Sequence, residues 1–288
     1  MSVSVIEERI RMHYQPQNPD EELNAFKEIA QDIALRGLSR TEFFKHAAFM
    51  GGTCLRIVYG LLRFSEDLDF VLVSSNEQFV WQPFLAKMES EFSAFGLTLE
   101  VKDRSEADST VKKAFLKENS FGKVLQFTYP KNHSGVQKVL IKLEIDTNPP
   151  PGSLFESKAV RFPTPFSIMA QDLTSLFAGK LLALLCRNYS KGRDWFDFIW
   201  YITNKVGINY TLLREGLLQQ GPWKGQPQEV DASWVKRQLR KRLEGLDWSA
   251  VKGDVRRFLR DREATSLDLW SESFFEEFIA EIPSEKHA

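Results

Sequence analysis

The residues best suited to chemistry lie in Gly51-Gly52-Thr53-Cys54-Leu55-Arg56 and, shortly after it, Arg63-Phe64-Ser65-Glu66-Asp67-Leu68-Asp69-Phe70. A glycine pair between an expected strand ending at 49–51 and an expected helix at 55–59 lets the backbone approach a phosphate closely. The helix start adds unpaired amides and the positive end of a dipole. Thr53 offers a hydroxyl, and Ser65 joins Gly51, Gly52 and Thr53 as a nucleotide-binding candidate. Asp67 and Asp69, two apart on an expected strand at 67–73, point to one face, where paired carboxylates suit a divalent cation. Either motif alone fits a turn or a solvated strand edge equally well. The two in this order point to metal-assisted chemistry on a phosphate.

A second source of carboxylates is Lys142-Leu143-Glu144-Ile145-Asp146. Alternation buries Ile141, Leu143 and Ile145 and puts Lys142, Glu144 and Asp146 on the opposite face. One of these acids could join the first pair, and three carboxylates can hold two cations. A strand with a polar outer face is the plainer reading of this segment by itself. The third constellation runs from Lys180 to Asp197. Lys180 and Arg187, seven residues apart on an expected helix, align into a cationic stripe suited to a triphosphate. Asp194 and Asp197 share one face at the start of the next helix, beside Arg193. Snorkelling of Lys180 and helix capping by Asp194 are the structural alternatives.

These residues need a scaffold that changes class partway along the chain. Residues 1–40 carry Ile6, Ile10, Leu23, Phe26, Ile29, Ile33 and Leu35 at helical spacing and read as a helical cap. From 41 to 165 the texture is that of an α/β core: the strand, helix, strand unit above, a helix at 80–95, and strands near 97–101, 124–129 and 139–146. Asn148-Pro149-Pro150-Pro151-Gly152 cannot continue a helix or a central strand and reads as the exit from the sheet. From 166 to 288 the pattern is helical, with helices at 173–189, 195–203, 210–218, 233–243 and 273–282. The fold class is α+β, with a mixed-sheet core between helical ends. The nucleotide and metals are expected between the core and the C-terminal helices.

Composition limits the partners. The 288 residues are 43% hydrophobic and 27% charged, with 38 Lys and Arg against 39 Asp and Glu. A net charge of -1 excludes a wholly basic nucleic-acid wrapper, so any polyanion site is local. One local excess exists, ten Lys or Arg against four Asp or Glu between 236 and 262. It could meet an RNA backbone or be a solvated helix face. Trp223, Trp234 and Trp248 punctuate it and read as core. Two cysteines, Cys54 and Cys186, exclude a disulfide framework and a cysteine-rich zinc site, and fit a reducing cytoplasm. His13, His46, His133 and His287 have no metal spacing. No apolar run approaches the roughly 20 residues that span a bilayer, and the first residues lack the features of a secretory signal. The expectation is a soluble protein with no membrane partner.

The stretch GGTCLRIVYGLLRFSEDLDF, with IKLEIDTNPP and LFAGKLLALLCRNYSKGRDWFDFIW, resembles the AbiEii/AbiGii toxin family, DNA polymerase beta-like nucleotidyltransferases that include the MenT toxins. The three motifs match in order and span most of residues 40–205. The resemblance implies that Gly52 and Thr53 fill the family's Gly-Ser/Thr position and that Asp67 and Asp69 fill its metal-binding Asp-x-Asp. It also implies a nucleotide-contacting lysine at Lys180 and an essential aspartate at Asp194. Glu144 most resembles the third-strand acid, although Asp146 also fits. The implied reaction is Mg2+-dependent, with two ions, and moves NMP from an NTP to an acceptor hydroxyl. Family members act in type IV toxin–antitoxin pairs or abortive phage defence, which implies a cognate antitoxin, and some modify tRNA 3′ ends. Two rivals use the same residues. A metal-dependent phosphodiesterase would not need Lys180, and a non-catalytic binding module would not bind NTP with Mg2+.

Overall fold

In a computed structural model, residues 3–103, 120–131 and 135–283 are described. They form two compact units. The first comprises residues 1–60, 64–149 and 156–170, and the second comprises 61–63, 150–155 and 171–288. The residues read as an N-terminal cap therefore belong to the same unit as the sheet, and so does the strand beyond 165.

The first unit opens with α1 (Val3–Arg9), which runs into a π-turn at Ile10–Tyr14, and α2 (Pro19–Ser39). The start of α2 is set by the Asn18 side chain, which accepts from the Glu21 amide, by Pro19 at the first helical position, and by three acids in the first turn. A short helix α3 (Phe43–His46) leads into β1 (Ala47–Met50), then α4 (Gly51–Tyr59), β2 (Leu68–Leu72) and α5 (Gln82–Ala94). Gly60, left-handed at φ 83°, ends α4. The remaining strands are β3 (Thr98–Asp103), β4 (Ser120–Lys131), β5 (Gly135–Asp146), β6 (Phe155–Val160) and β7 (Phe166–Gln171).

The seven strands form one mixed sheet in the order β3-β4-β5-β2-β1-β7-β6. Strand β2 runs antiparallel to β1 and parallel to β5, and β7 runs parallel to β1. The proline run is thus not the exit from the sheet. Two more strands follow it, and their mixed sequences FESKAV and FSIMAQ lack the sustained apolar content that marks β2 and β5. Phe43 anchors an aromatic cluster with Phe70, Trp81 and Phe84, and Leu68, Ile141, Leu143 and Ile145 are fully buried.

The second unit is largely helical. It contains α6 (Leu173–Cys186), α7 (Gly192–Thr203), α8 (Tyr210–Gln219), α9 (Ala232–Leu243), α10 (Trp248–Arg256), α11 (Asp261–Ala264) and α12 (Glu272–Ala280). The expected helix at 173–189 stops three residues early, with Arg187 already extended. Helices α10 and α11 were absent from the sequence expectation, because their charged, short repeats resemble a loop. Asp172 caps α6, its carboxylate accepting from the Ser175 amide. Phe177 stacks on Tyr201 at 4.5 Å, and Gly216 leaves room for Leu182. Among the described residues, no helix is long and apolar enough to cross a membrane.

Candidate active site

In the first unit, the β2–β5 register places Asp69 directly beside Glu144, while Asp146 lies beside Val71. Residues paired across adjacent strands face the same side, so Asp69 and Glu144 form a side-by-side carboxylate pair. Asp146 is turned to local use, with its Oδ1 accepting from the Asn148 amide at 3.1 Å. Asp67 stands one residue before β2, where strand alternation does not set its direction. Among the described residues, no group of three or more His, Cys, Asp or Glu stands at metal-holding spacing. The register thus sets Asp69 beside Glu144, while Asp67 leads into β2 and Asp146 is bonded into its own turn. Hard, paired oxygens of this kind still fit a divalent cation such as Mg2+.

Asp69 lies against the start of α4. Gly51 has φ 80°, and a Cβ built there would come within 2.6 Å of Asp69 Oδ2. Only glycine satisfies both the left-handed backbone and that approach. No side chain caps α4, so its first amides remain available to an anion. Gly52 follows, partly exposed. Thr53 does not present its hydroxyl to a phosphate. It is fully buried, and its hydroxyl donates to the Asp67 carbonyl oxygen, tying the helix start to the segment that carries the acids. The Ser65 carbonyl is held in turn by the Gln31 side chain at 3.0 Å.

The second unit contains an ion cluster. Lys180 Nζ lies 2.7 Å from Asp194 Oδ1 and 2.7 Å from Asp197 Oδ2. Arg187 also pairs with Asp194. It reaches that carboxylate from just beyond the end of α6, so the stripe expected along one helix is instead two cations meeting on one acid. Arg63 grips Asp197 with two parallel bonds of 2.6 Å, both partners being almost fully buried. Lys180, Arg187 and Arg63 thus converge on the two carboxylates of Asp194 and Asp197. The pairing of Arg63 with Asp197 was not legible in the sequence. The available signal was a lone arginine inside the apolar run Leu61, Leu62, Phe64.

Burial alone would raise the Asp194 carboxyl, but the Lys180 ammonium and then the Arg187 guanidinium outweigh it and hold the group well below the usual carboxylate range. Asp194 therefore adds stability above the unfolded value of about 3.9, and that stability is lost as pH falls toward the folded value. Unfolding free energy measured in urea is expected to fall below about pH 4, and to fall less steeply in Asp194→Asn. Parallel curves for the two proteins would remove Asp194 from this role.

The basic stretch is partly committed to the fold. Lys236 donates to the Ala280 carbonyl, Arg240 to Glu276, and Arg242 to the Arg187 carbonyl. Arg237, Lys241, Arg256 and Arg257 are exposed. Trp234 is buried and packs edge-on against Trp223, and Trp248 stacks on Phe275, so the tryptophans serve packing.

A family model described as nucleotidyl transferase AbiEii toxin, type IV TA system, matches residues 33–277. Among solved structures, JHP933 from Helicobacter pylori is similar at 17% identity and TM-score 0.48, over 90% of this chain and 88% of that one. A candidate nucleotidyltransferase from H. pylori is similar at 16% identity and TM-score 0.46, over 90% and 97% of the two chains. No curated protein sequence matches the chain.

Proposed function

The chain belongs to the AbiEii family of nucleotidyl transferase toxins of type IV toxin–antitoxin systems, and from that premise we propose that it transfers an NMP from an NTP to an RNA hydroxyl at a tRNA 3′ end, using Mg2+. Membership makes it a nucleotidyltransferase with an NTP substrate and a cognate antitoxin. The acceptor, the metal and the residue roles are the proposed parts. The observation that carries the metal and the phosphate contacts is Asp69, paired with Glu144, beside the uncapped, glycine-opened start of α4, while the tRNA acceptor is proposed from the family resemblance of the motifs.

Asp67, Asp69 and Glu144 would hold Mg2+, which when bound neutralises charge on the α-phosphate and the leaving pyrophosphate and acidifies the attacking hydroxyl. The amides at Gly51 and Gly52 donate to phosphate oxygens, and the bare Gly51 Cα lets them approach. Thr53 keeps Asp67 in place through its backbone. Lys180 spends two of its three ammonium protons on Asp194 and Asp197 and has the third for a nucleotide phosphate. Arg187 is assigned the same kind of contact. Both assignments rest on the sequence motif, with Asp194 orienting the two cations.

The test uses labelled NTPs with intact tRNA and with tRNA whose 3′ diol has been oxidised by periodate, each with Mg2+ or with EDTA. Label is expected only on intact tRNA with Mg2+. Label on oxidised tRNA would place the acceptor elsewhere, and label in EDTA would remove the metal from the reaction.

A further inference from the structure

Four consecutive residues leading into β2 are each held by a helix of the first unit. The Arg56 guanidinium lies 4.6 Å from the centre of the Phe64 ring. Gln31 Nε2 donates to the Ser65 carbonyl at 3.0 Å, and the Lys27 ammonium meets Glu66 at 3.0 Å. The Thr53 hydroxyl donates to the Asp67 carbonyl. Arg56 and Thr53 belong to α4. Lys27 and Gln31, four apart and so on one face of α2, lie ahead of residue 33, where the family match begins.

Gln31 is the informative member. Its side chain is fully buried, as are the neighbouring Ile29, Ala30, Ile33 and Ala34. Its Oε1 has no hydrogen-bond partner. A buried amide oxygen left unpaired is destabilising, and a methionine of similar volume would fill the position without that cost. Packing therefore does not account for an amide here. What glutamine supplies and methionine lacks is the N–H donated to Ser65, two residues before Asp67.

We infer that Gln31, with Lys27 beside it, is a positioning residue for the cation site. It fixes the Ser65–Asp67 segment from outside, so that Asp67 and Asp69 enter β2 in one arrangement. This inference rests on the reading that those carboxylates bind a divalent cation.

The test measures Mn2+ binding to the full chain by calorimetry together with its thermal unfolding midpoint. Gln31→Met is expected to bind Mn2+ about 10-fold more weakly, as when an outer partner of a metal ligand is lost, with an unfolding midpoint close to the parent's, since relief of the unpaired Oε1 and loss of the bond to Ser65 oppose each other. Unchanged Mn2+ affinity would overturn the inference, and so would a weaker affinity accompanied by a lower midpoint. Should Gln31→Met not fold, Lys27→Met decides the matter in the same way. The Lys27 side chain is 15% exposed, and a loss of about two- to five-fold in affinity is expected for such a pair. A parent chain that binds no Mn2+ overturns the metal reading itself, and that result is visible before any variant is made.

Discussion

Asp69→Asn is expected to lower the rate of nucleotide transfer by about 10³-fold while leaving thermal unfolding nearly unchanged. The substitution keeps the size of the side chain and one oxygen but removes the charge that a hard cation requires. Metal stabilisation of a phosphoryl transition state is worth several kcal/mol, and about 1.4 kcal/mol is a factor of ten. The fold has little to lose. Asp69 gains from the nearby start of α4 but stands beside Glu144, and these effects oppose each other. Asp146→Asn, beside Val71 and bonded into its own turn, is expected to cost less than about ten-fold, since it removes no charge from the pair. Steady-state label transfer and a melting curve on both variants check this. Equal losses in the two would mean that register does not select the ligand.

The second large effect concerns stability. Asp197 is fully buried and is gripped by Arg63 through two bonds and by Lys180 through one. Asp197→Ala removes the carboxylate that grips the buried Arg63 guanidinium, and breaking a buried ion pair from one side costs about 3–5 kcal/mol. That is a large share of the roughly 5–15 kcal/mol by which a domain is stable. Urea denaturation should show a midpoint lowered accordingly. The double variant Arg63→Met with Asp197→Leu should recover most of the loss, because an apolar pair of similar volume can replace a buried ion pair. Its Lys180 would still lack one anchor, so KM for NTP is expected to rise although the fold is restored. A double variant with the parent's KM would show that Asp197 serves the fold alone.

What the sequence disclosed and what it hid follow from the range of the interactions involved. The turn at Gly51-Gly52 and the strand after Asp67 were readable because backbone conformation and alternation are local. Alternation also put Glu144 and Asp146 on one face. It could not choose between them, since that choice depends on the register of β2 against β5, two strands far apart in the sequence. The burial of Thr53 was invisible for the same reason, its partner being the Asp67 carbonyl across the α4–β2 connection. Strands β6 and β7 were missed because short mixed segments after a proline run resemble a linker. Arg63 and Gln31 look ordinary in the sequence, and only the fold brings Asp197 to the one and Ser65 to the other.

The central claim is that this chain moves the nucleotidyl part of an NTP. It is tested most directly by parallel reactions with the label in the α- or the γ-phosphate, with total RNA and Mg2+. The account predicts α-label on the acceptor and γ-label released in pyrophosphate. Label on the acceptor from the γ-phosphate, or from neither position, would contradict it.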